Sequence, residues 1–426
     1  MTGPIPIAIV GVSARFGPWR GRSAFQHRVL EGGESASESD RLIDDLRLRL
    51  GRFRIPPREL EAMLLQQSLM LETAADAIED AGGSAAVGLR TCVVVGLGLD
   101  LNATNFQLRW WLTARAPVWN AELGWNLAPP ALDAWIAEAC DAVLPALSPN
   151  RTMGSLGGLV ASRIAREFRI GGPSFTVSSD EDSGLDALRL AADWLARGEV
   201  DSAVVGAVDL AGDVRTARAA RLLHAPESLD VGEGASALVL KRRADAVRDG
   251  DRIYAVIADP SEAENRAVVL DTVRSALGWT GAAEGLAAVA AAAVALDQSI
   301  LPRSAGDGAA IGPRYWLRNR DDGPRVALVR QRALGGREQA VALESVDDAP
   351  RSDRRQPLGP HPRAIFAIAG DDPAGRAERL AKLERLAGED PARPIETLAR
   401  LWRQAGREES APSVMAMIAG DARALA

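Results

Sequence analysis

The sequence contains few of the residues that support catalysis or cross-linking. Among 426 residues there are two cysteines, Cys92 and Cys140, and three histidines, His27, His224 and His361. Two cysteines without ligand spacing exclude a disulfide framework and predict neither a metal site nor any other cofactor, and they favour a cytoplasmic location. The scarcity of histidine leaves little of the acid–base chemistry on which acyl transfer usually depends.

Long apolar runs and an excess of positive charge are also missing. No run reaches transmembrane length, and the N-terminus lacks the pattern of a signal peptide, so we expect no membrane association. The net charge of −7 argues against a nucleic-acid partner. With 47% hydrophobic residues, the chain can form one or two large globular units.

Apolar strands alternate with helical patterns along most of the chain. This alternation predicts an α/β protein with mostly parallel or mixed sheets that are buried on both faces. We predict helices at Pro56–Ala81, Asp133–Leu144, Gly184–Ala196 and Ala282–Leu296. We predict strands at Ile5–Val12, Thr91–Gly96, Phe175–Val177, Ser202–Val208, Ala235–Leu240 and Arg252–Ile257, and a hairpin of Arg325–Val329 with Gln339–Leu343 turning at Gly335-Gly336.

A change in composition separates the last part of the chain. Residues 346–363 are rich in Asp, Arg and Pro and are typical of a linker. A smaller pattern follows, with strands at Ala364–Ile368 and Ser413–Ile418, helices at Pro373–Ala387 and Pro394–Gln404, and a helix start at Asp421–Ala426. We therefore predict a main domain of residues 1–345 and a subdomain of residues 346–426, and the unfinished last helix suggests a piece of a longer polypeptide.

Three ordered segments carry a family resemblance. IAIVG at Ile7–Gly11, the segment Met153–Val177 and the segment Gly232–Ile257 closely resemble β-ketoacyl synthases, the carbon–carbon bond-forming domains of fatty acid and polyketide synthases. The resemblance runs from about Ile7 to Ser345. It implies the thiolase fold, a five-layered αβαβα arrangement of two similar halves, and a two-fold dimer.

The sequence departs from that family at its catalytic positions. Glu181 stands where the family has its nucleophilic cysteine, and Trp279 stands where it has a histidine. The segment for the second histidine is missing, since only Ala258–Leu277 lies at its place. The late Gly-Gly-Thr-Asn-Ala-His element has become residues 335–340, which read Gly-Gly-Arg-Glu-Gln-Ala. We expect no condensation by this chain alone.

Three further stretches narrow the resemblance. Leu97–Trp110, Val205–Arg215 and Arg314–Arg318 look like the chain length factor of polyunsaturated fatty acid synthases and related iterative type I polyketide synthases. Such factors are inactive ketosynthase homologues. The resemblance implies a pseudo-symmetric heterodimer with an active ketosynthase and an acyl carrier protein reached through that partner. The tail from Arg363 resembles the linker to a neighbouring acyltransferase domain.

The same resemblance implies which residues border the partner. It assigns the interface and acyl tunnel to Phe106, Trp110 and Trp111, and to the strand residues Phe175, Thr176 and Val177. Aromatic side chains are enriched in interface cores, but plain core packing explains the tryptophans equally well. Trp119, Trp125 and Trp135 follow in the same segment and leave the same two alternatives open.

Alternatives also remain for the two degenerate positions. Glu181, with Asp180 and Asp182, either caps the following helix, where anions are favoured, or serves as a functional carboxylate. Trp279 either fills the former pocket or forms part of a tunnel wall. Besides the chain length role, we keep a malonyl-ACP decarboxylase that uses Glu181 and a purely structural scaffold as rival functions.

Overall fold

The structure is a computed structural model that describes residues 5–31, 37, 39–224, 230–263, 266–303, 312–333, 336–346, 363–370, 372–405 and 414–425. The predicted Gly335 turn residue and His361 lie outside these residues. The chain divides into two units, Met1–Ser352 and Asp353–Ala426. Among the described residues, none of the helices combines the length and the apolar character needed to cross a membrane.

The first unit contains twelve described strands and thirteen described helices. The strands are β1 (Ile7–Phe16), β2 (Trp19–Arg20), β3 (Thr91–Leu97), β4 (Ser174–Val177), β5 (Ser202–Leu210), β6 (Glu233–Arg242), β7 (Ala255–Ala258), β8 (Val268–Val269), β9 (Ile300–Leu301), β10 (Arg314–Tyr315), β11 (Val326–Arg332) and β12 (Glu338–Glu344). The helices are α1 (Gly21–Glu31), α2 (Pro57–Glu61), α3 (Leu65–Asp80), α4 (Asn105–Glu122), α5 (Pro129–Val143), α6 (Pro149–Ser155), α7 (Leu159–Phe168), α8 (Ser183–Ala196), α9 (Val214–His224), α10 (Arg243–Asp249), α11 (Pro260–Ala263), α12 (Thr272–Leu277) and α13 (Glu284–Gln298).

Ten of these strands form one mixed sheet. Its order is β4-β3-β5-β6-β1-β7-β12-β11-β8, with β2 paired to β1. Strand β3 runs parallel to β4 and β5, and β8 runs parallel to β11, whereas the other pairs are antiparallel. The apolar runs of β3 and β5 are buried throughout, as strands covered on both faces require. The predicted mixed sheet is confirmed, and β4 lies at its edge.

Helices cover both faces of this sheet. Helix α3 packs on β1, β5 and β6. The hydrophobic core that it shares with the sheet includes Val93, Val95 and Val204. On the opposite face α8 packs against β3 and β5, where Gly96 lets its first turn approach closely. Helix α13 contacts α8 and packs on β6 and β11. Helices α8 and α13 therefore lie between the part of the sheet formed by β3 and β5 and the part formed by β11 and β12. The four-residue α11 covers β11 and β12 and completes a fifth, much reduced layer.

The first unit differs from the prediction at two helical segments. The helix predicted at Pro56–Ala81 is broken into α2 and α3, because Leu64 adopts an extended conformation and donates its backbone N–H to the Gly154 carbonyl at 3.0 Å. A Cβ at Gly154 would lie 2.3 Å from the Ala62 carbonyl oxygen, so α6 packs directly on the break. The 18-residue α4 was not predicted, because its apolar residues do not form one helical face.

The second unit is a small α/β fold. Strands β13 (Ala364–Ala369) and β14 (Val414–Ala419) pair antiparallel, and helices α14 (Pro373–Gly388) and α15 (Ile395–Ala405) connect them in sequence. The predicted last helix is a 3-10 turn at Ala422–Leu425. Phe366, Leu383, Leu398 and Trp402 fill its core.

Candidate functional site

A tight turn joins β4 to α8 and presents Glu181. Asp180 lies in the left-handed region at φ +51°, which turns the chain sharply before the helix begins. The Ser183 hydroxyl donates to the Asp180 carbonyl at 2.6 Å and accepts the Ser179 N–H at 2.9 Å. The side chain of Asp182, the N-cap residue, makes no capping hydrogen bond. The Ser183 hydroxyl closes the turn, and the favourable effect of the anionic residues Asp180–Asp182 on the helix start stays a prediction.

The turn brings Glu181 into contact with Trp279, the two residues that the family resemblance sets at the positions of a cysteine and a histidine. The Trp279 indole Nε1–H donates to Glu181 Oε1 at 2.5 Å, although the residues are 98 positions apart. Both are buried, with 3% of Glu181 and 5% of Trp279 exposed. A hydrogen bond to a buried carboxylate is charge-assisted and roughly twice as strong as a neutral one. The sequence placed each residue, but it contained no signal for this bond.

Backbone pairing holds Trp279 in place. Its N–H donates to the Asp230 carbonyl at 2.7 Å, and its carbonyl accepts the Gly232 N–H at 2.9 Å. Gly278 precedes it at φ +81°, and a Cβ there would lie 2.9 Å from the Val231 backbone, so glycine is required. The indole packs in a small cluster with Val231 and three alanines of neighbouring segments. The Trp279 side chain is therefore part of a packed hydrophobic cluster.

The second half of the fold supports the turn from β11 and β12. The Gln331 side chain donates from Nε2 to the Glu181 carbonyl at 2.8 Å. Arg337 pairs with Asp186 at 3.1 Å and lies 3.7 Å from Asp182. Burial raises the pKa of Asp182 above its ordinary value, despite its hydrogen bond with Gln339 and the charge of Arg337. Sequence reasoning missed these contacts, because the strand residues have no motif of their own.

A second buried carboxylate, Asp209 near the end of β5, contacts the Gly281–Ala283 turn that leads into α13. Its Oδ2 accepts the Ala282 N–H at 2.8 Å. Burial raises the pKa of Asp209 to about 7, and the nearby carboxylates of Asp100 and Glu233 contribute to the rise. Asp209 can therefore exchange a proton near neutral pH. Asp209 lies within Val205–Arg215, and no sequence pattern there indicated a role for it.

The two cysteines are remote from these residues in sequence, and both are buried. Cys92 is buried in β3, and burial raises the pKa of its thiol to about 12. Cys140 is buried on α5, where its sulfur contacts the Arg109 carbonyl at 3.4 Å. Because the thiolate is the reactive form, a thiol of such high pKa as that of Cys92 is inert near neutral pH.

The predicted interface residues lie on β4 and α4. Phe175, Thr176 and Val177 are half-buried on the edge strand, and the Phe175 ring packs edge-on against Trp194 of α8 with centroids 5.6 Å apart. β4 is hydrogen-bonded to β3 alone within the described sheet. Edge strands of this kind offer backbone groups to another chain.

Helices α4 and α5 pack on each other and expose most of their residues. Trp110 is 76% exposed and Trp111 is 53% exposed, whereas Phe106 is half-buried. Trp111 also begins a chain of neighbouring rings whose centroids are 4.9 to 6.4 Å apart, continued by Trp119, Trp125 and Trp135. These three are half-buried, so the pair Trp110 and Trp111 is the aromatic part that α4 presents to solvent.

A small cavity opens beside the Glu181 turn. Its volume is about 110 Å³, and it lies between the start of α3, the end of β3 and Ser178 of the turn. Leu64, Leu97 and Leu99 form apolar walls, and Leu99 is 70% exposed at the surface.

The sequence is similar to proteins of a known family. The sequence matches the family described as "Beta-ketoacyl synthase, N-terminal domain" over residues 5–246, more than half of the chain. It is 29% identical over 294 residues to a polyunsaturated fatty acid synthase subunit of Thraustochytrium sp., covering 59% of this chain and 13% of that protein. It is 32% identical over 222 residues to a phenolphthiocerol/phthiocerol polyketide synthase subunit of Mycobacterium tuberculosis, covering 48% and 9%. The chain thus spans only a small fraction of these relatives.

Solved structures show the same architecture. The PfaC keto synthase-chain length factor superposes with a TM-score of 0.63 at 18% identity, over 83% of this chain and 44% of that chain. An oxazolomycin ketosynthase domain from Streptomyces albus superposes with a TM-score of 0.60 at 19% identity, over 99% and 86%. The predicted thiolase fold is confirmed by these matches.

Proposed function

We propose that this chain, which belongs to the β-ketoacyl synthase family, is a non-condensing member that pairs with an active ketosynthase and shapes that partner's acyl tunnel. The observation that carries the proposal is the buried hydrogen bond between Glu181 and Trp279. These residues occupy the positions that the family resemblance assigns to a cysteine and a histidine. The similarity to a keto synthase-chain length factor structure supports the same role.

The chemistry of the pair supports the loss of condensation. A condensing enzyme needs a thiolate that holds the acyl chain as a thioester, and a carboxylate cannot form that bond. An indole N–H only donates, so Trp279 cannot accept a proton as a histidine base does. The Glu181 oxygen already accepts that N–H, and both side chains are withdrawn from solvent. Acyl transfer in the complex would use the partner's residues.

The exposed surfaces support pairing with a homologous chain. An edge strand of half-buried residues is a ready site for a second sheet, and β4 has one free edge in the described sheet. Three large apolar side chains are exposed in another part of the chain. Leu99 precedes α4, and Trp110 and Trp111 lie on α4. Because exposed aromatic groups of this size mark association surfaces, we assign β4 and α4 to the interface with the ketosynthase.

The cavity beside the turn is too small to hold a long acyl chain by itself. In the proposed complex, α4 and the Leu97–Asp100 segment would close the end of a tunnel that lies mainly in the partner. An acyl chain longer than the tunnel must overpack the residues at its end, which costs roughly 1–3 kcal/mol. This cost slows another extension cycle by about fivefold or more. Phe106 and Trp110 are the residues whose size we expect to set that end.

The test is co-purification with the cognate ketosynthase and mass spectrometry of the products. Trp110→Ala should weaken the complex, whereas Leu50→Ala, at a position of similar exposure (78%), serves as the control. Phe106→Ala should lengthen the products, and Phe106→Trp should shorten them.

Each negative result has a separate meaning. Failure to form a one-to-one complex would refute pairing. A complex whose product length never changes would refute tunnel shaping and leave a structural scaffold. Carbon dioxide release from malonyl-ACP by this chain alone, lost in Glu181→Ala, would instead establish the decarboxylase.

A further inference from the structure

We propose that the outer face of the β13–β14 sheet packs against the same face of a second copy of this chain. The outer face consists of Ile365 and Ala367 on β13 and of Ala416 and Ile418 on β14. It belongs to the second unit, whereas the proposed pairing with a ketosynthase uses elements of the first unit. Either proposal can therefore fail without the other.

The composition of the two strands indicates a sheet that is covered on both faces. Residues 364–369 read AIFAIA and residues 414–419 read VMAMIA, so neither strand contains a polar side chain. A sheet with one face in water normally alternates apolar and polar residues along each strand, whereas uninterrupted apolar strands are buried on both faces.

Within the described part of the second unit, helices cover one face of the sheet. Phe366 and Ile368 are fully buried in the core that β13 shares with α14 and α15. On the outer face, Ile365 and Ile418 are each 68% exposed. Exposed apolar side chains that lie together are typical of association surfaces. The outer face is therefore the part of this unit that lacks its cover.

The strand register arranges the outer face in two rows. Ile365 lies opposite Ile418, and Ala367 lies opposite Ala416. The two rows are two residues apart, which is about 7 Å along the strands. The face thus has a ridge of two isoleucines beside a groove with two alanines at its floor.

A ridge beside a groove of this kind is complementary to itself. A two-fold axis that lies in the interface, runs across the strands and passes between the two rows brings each ridge into the groove of the other copy. Ile365 then faces Ala367 of the second copy, and Ile418 faces Ala416. Two-fold interfaces use the same patch on both copies, and large side chains that face small ones fill the space between packed sheets.

The small size of the outer face sets the strength of the contact. Four side chains bury far less than the roughly 800 Å² that each partner contributes to a standard interface, so the contact by itself is weak and reversible. None of the four residues is charged, so no ionised group loses its hydration when the two faces meet.

The first test follows the isoleucine δ1 methyl signals of the ¹³C-labelled full chain as its concentration is raised. The signals of Ile365 and Ile418 should shift, while that of the buried Ile368 should not. Ala367→Leu fills the groove in both copies and should raise the dissociation constant at least about tenfold. Ala377→Leu, at an exposed position of α14, is the matched control and should leave it unchanged. Signals of Ile365 and Ile418 that do not depend on concentration would overturn the proposal.

The second test fixes the axis by cross-linking. Packed sheets lie about 10 Å apart, which is further than a disulfide spans, so a short bismaleimide links the introduced cysteines while the native cysteines are buried. A mixture of Ile365→Cys and Ala367→Cys chains should give more linked pairs than Ile365→Cys alone. A mixture of Leu50→Cys and Leu89→Cys, at exposed positions of the first unit, measures random collisions. Linkage no greater than in this control refutes the contact, and preferred linkage of Ile365→Cys to Ile418→Cys refutes the ridge-into-groove arrangement.

Discussion

The bond between Trp279 and Glu181 yields the sharpest prediction. Trp279→Phe keeps an aromatic ring in the cluster but removes the Nε1–H that donates to Glu181 at 2.5 Å. A hydrogen bond to a charged group contributes about 1.5–3 kcal/mol, and the smaller ring adds about 1 kcal/mol of lost packing. We expect the free energy of unfolding of the first unit to fall by about 3 kcal/mol.

A double-mutant cycle isolates the bond from the packing loss. Glu181→Met replaces the carboxylate with an apolar group of similar length, and it leaves the indole N–H without this acceptor. In the double variant neither side chain leaves a polar group of the other without its partner. The loss of stability should therefore be smaller than the sum of the losses in the two single variants. We expect a coupling energy of about 2 kcal/mol between the two sites.

A second indole in the chain supplies the control. Trp402 is 6% exposed and donates its Nε1–H to the neutral Ala367 carbonyl at 2.8 Å. Trp402→Phe should cost only about 1 kcal/mol for the lost hydrogen bond.

Hydrogen exchange followed by mass spectrometry, with peptides from α8 and α15 measured separately in urea, reports both values. A coupling energy below about 0.5 kcal/mol for Glu181 and Trp279 would refute the reasoning.

Three further predictions concern burial and exposure. Because burial raises the pKa of Asp209 from 3.8 to about 7, the native state holds its proton at pH values where the unfolded state has lost it, and stability falls as the pH rises from about 4 to 7. Asp209→Asn should remove this loss and gain about 4 kcal/mol relative to the parent at pH 8, measured by urea unfolding. Gly98→Ala places a Cβ 2.2 Å from Asp209 Oδ2 and should cost about 2–3 kcal/mol, whereas Gly88→Ala, which meets no atom within 4 Å, should not show that loss in thermal unfolding. Trp110→Ala should change the stability of the isolated chain by less than about 0.5 kcal/mol in the same assay, because the side chain is 76% exposed, so that any loss of complex reflects the interface.

The sequence by itself determined most strands of the main sheet, but not the two-residue strands β2 and β8. Uninterrupted apolar runs such as Thr91–Leu97 can be satisfied only by a strand covered on both faces, so local composition is sufficient there. Ordered motifs drew attention to Glu181 and Trp279, and their correspondence to catalytic positions of the family remains a prediction. The interface roles of Phe106, Trp110, Trp111 and Phe175–Val177 remain predictions.

Only the tertiary structure decided which distant groups meet. The break at Leu64 depends on a carbonyl of α6, and the pKa of Asp209 depends on burial by segments far along the chain. The hydrogen bond from Trp279 to Glu181 joins residues 98 positions apart, and no pattern local to either residue predicts it. Periodicity and composition report the environment of a residue along its own segment, whereas hydrogen-bond partners and desolvation are set by packing between segments.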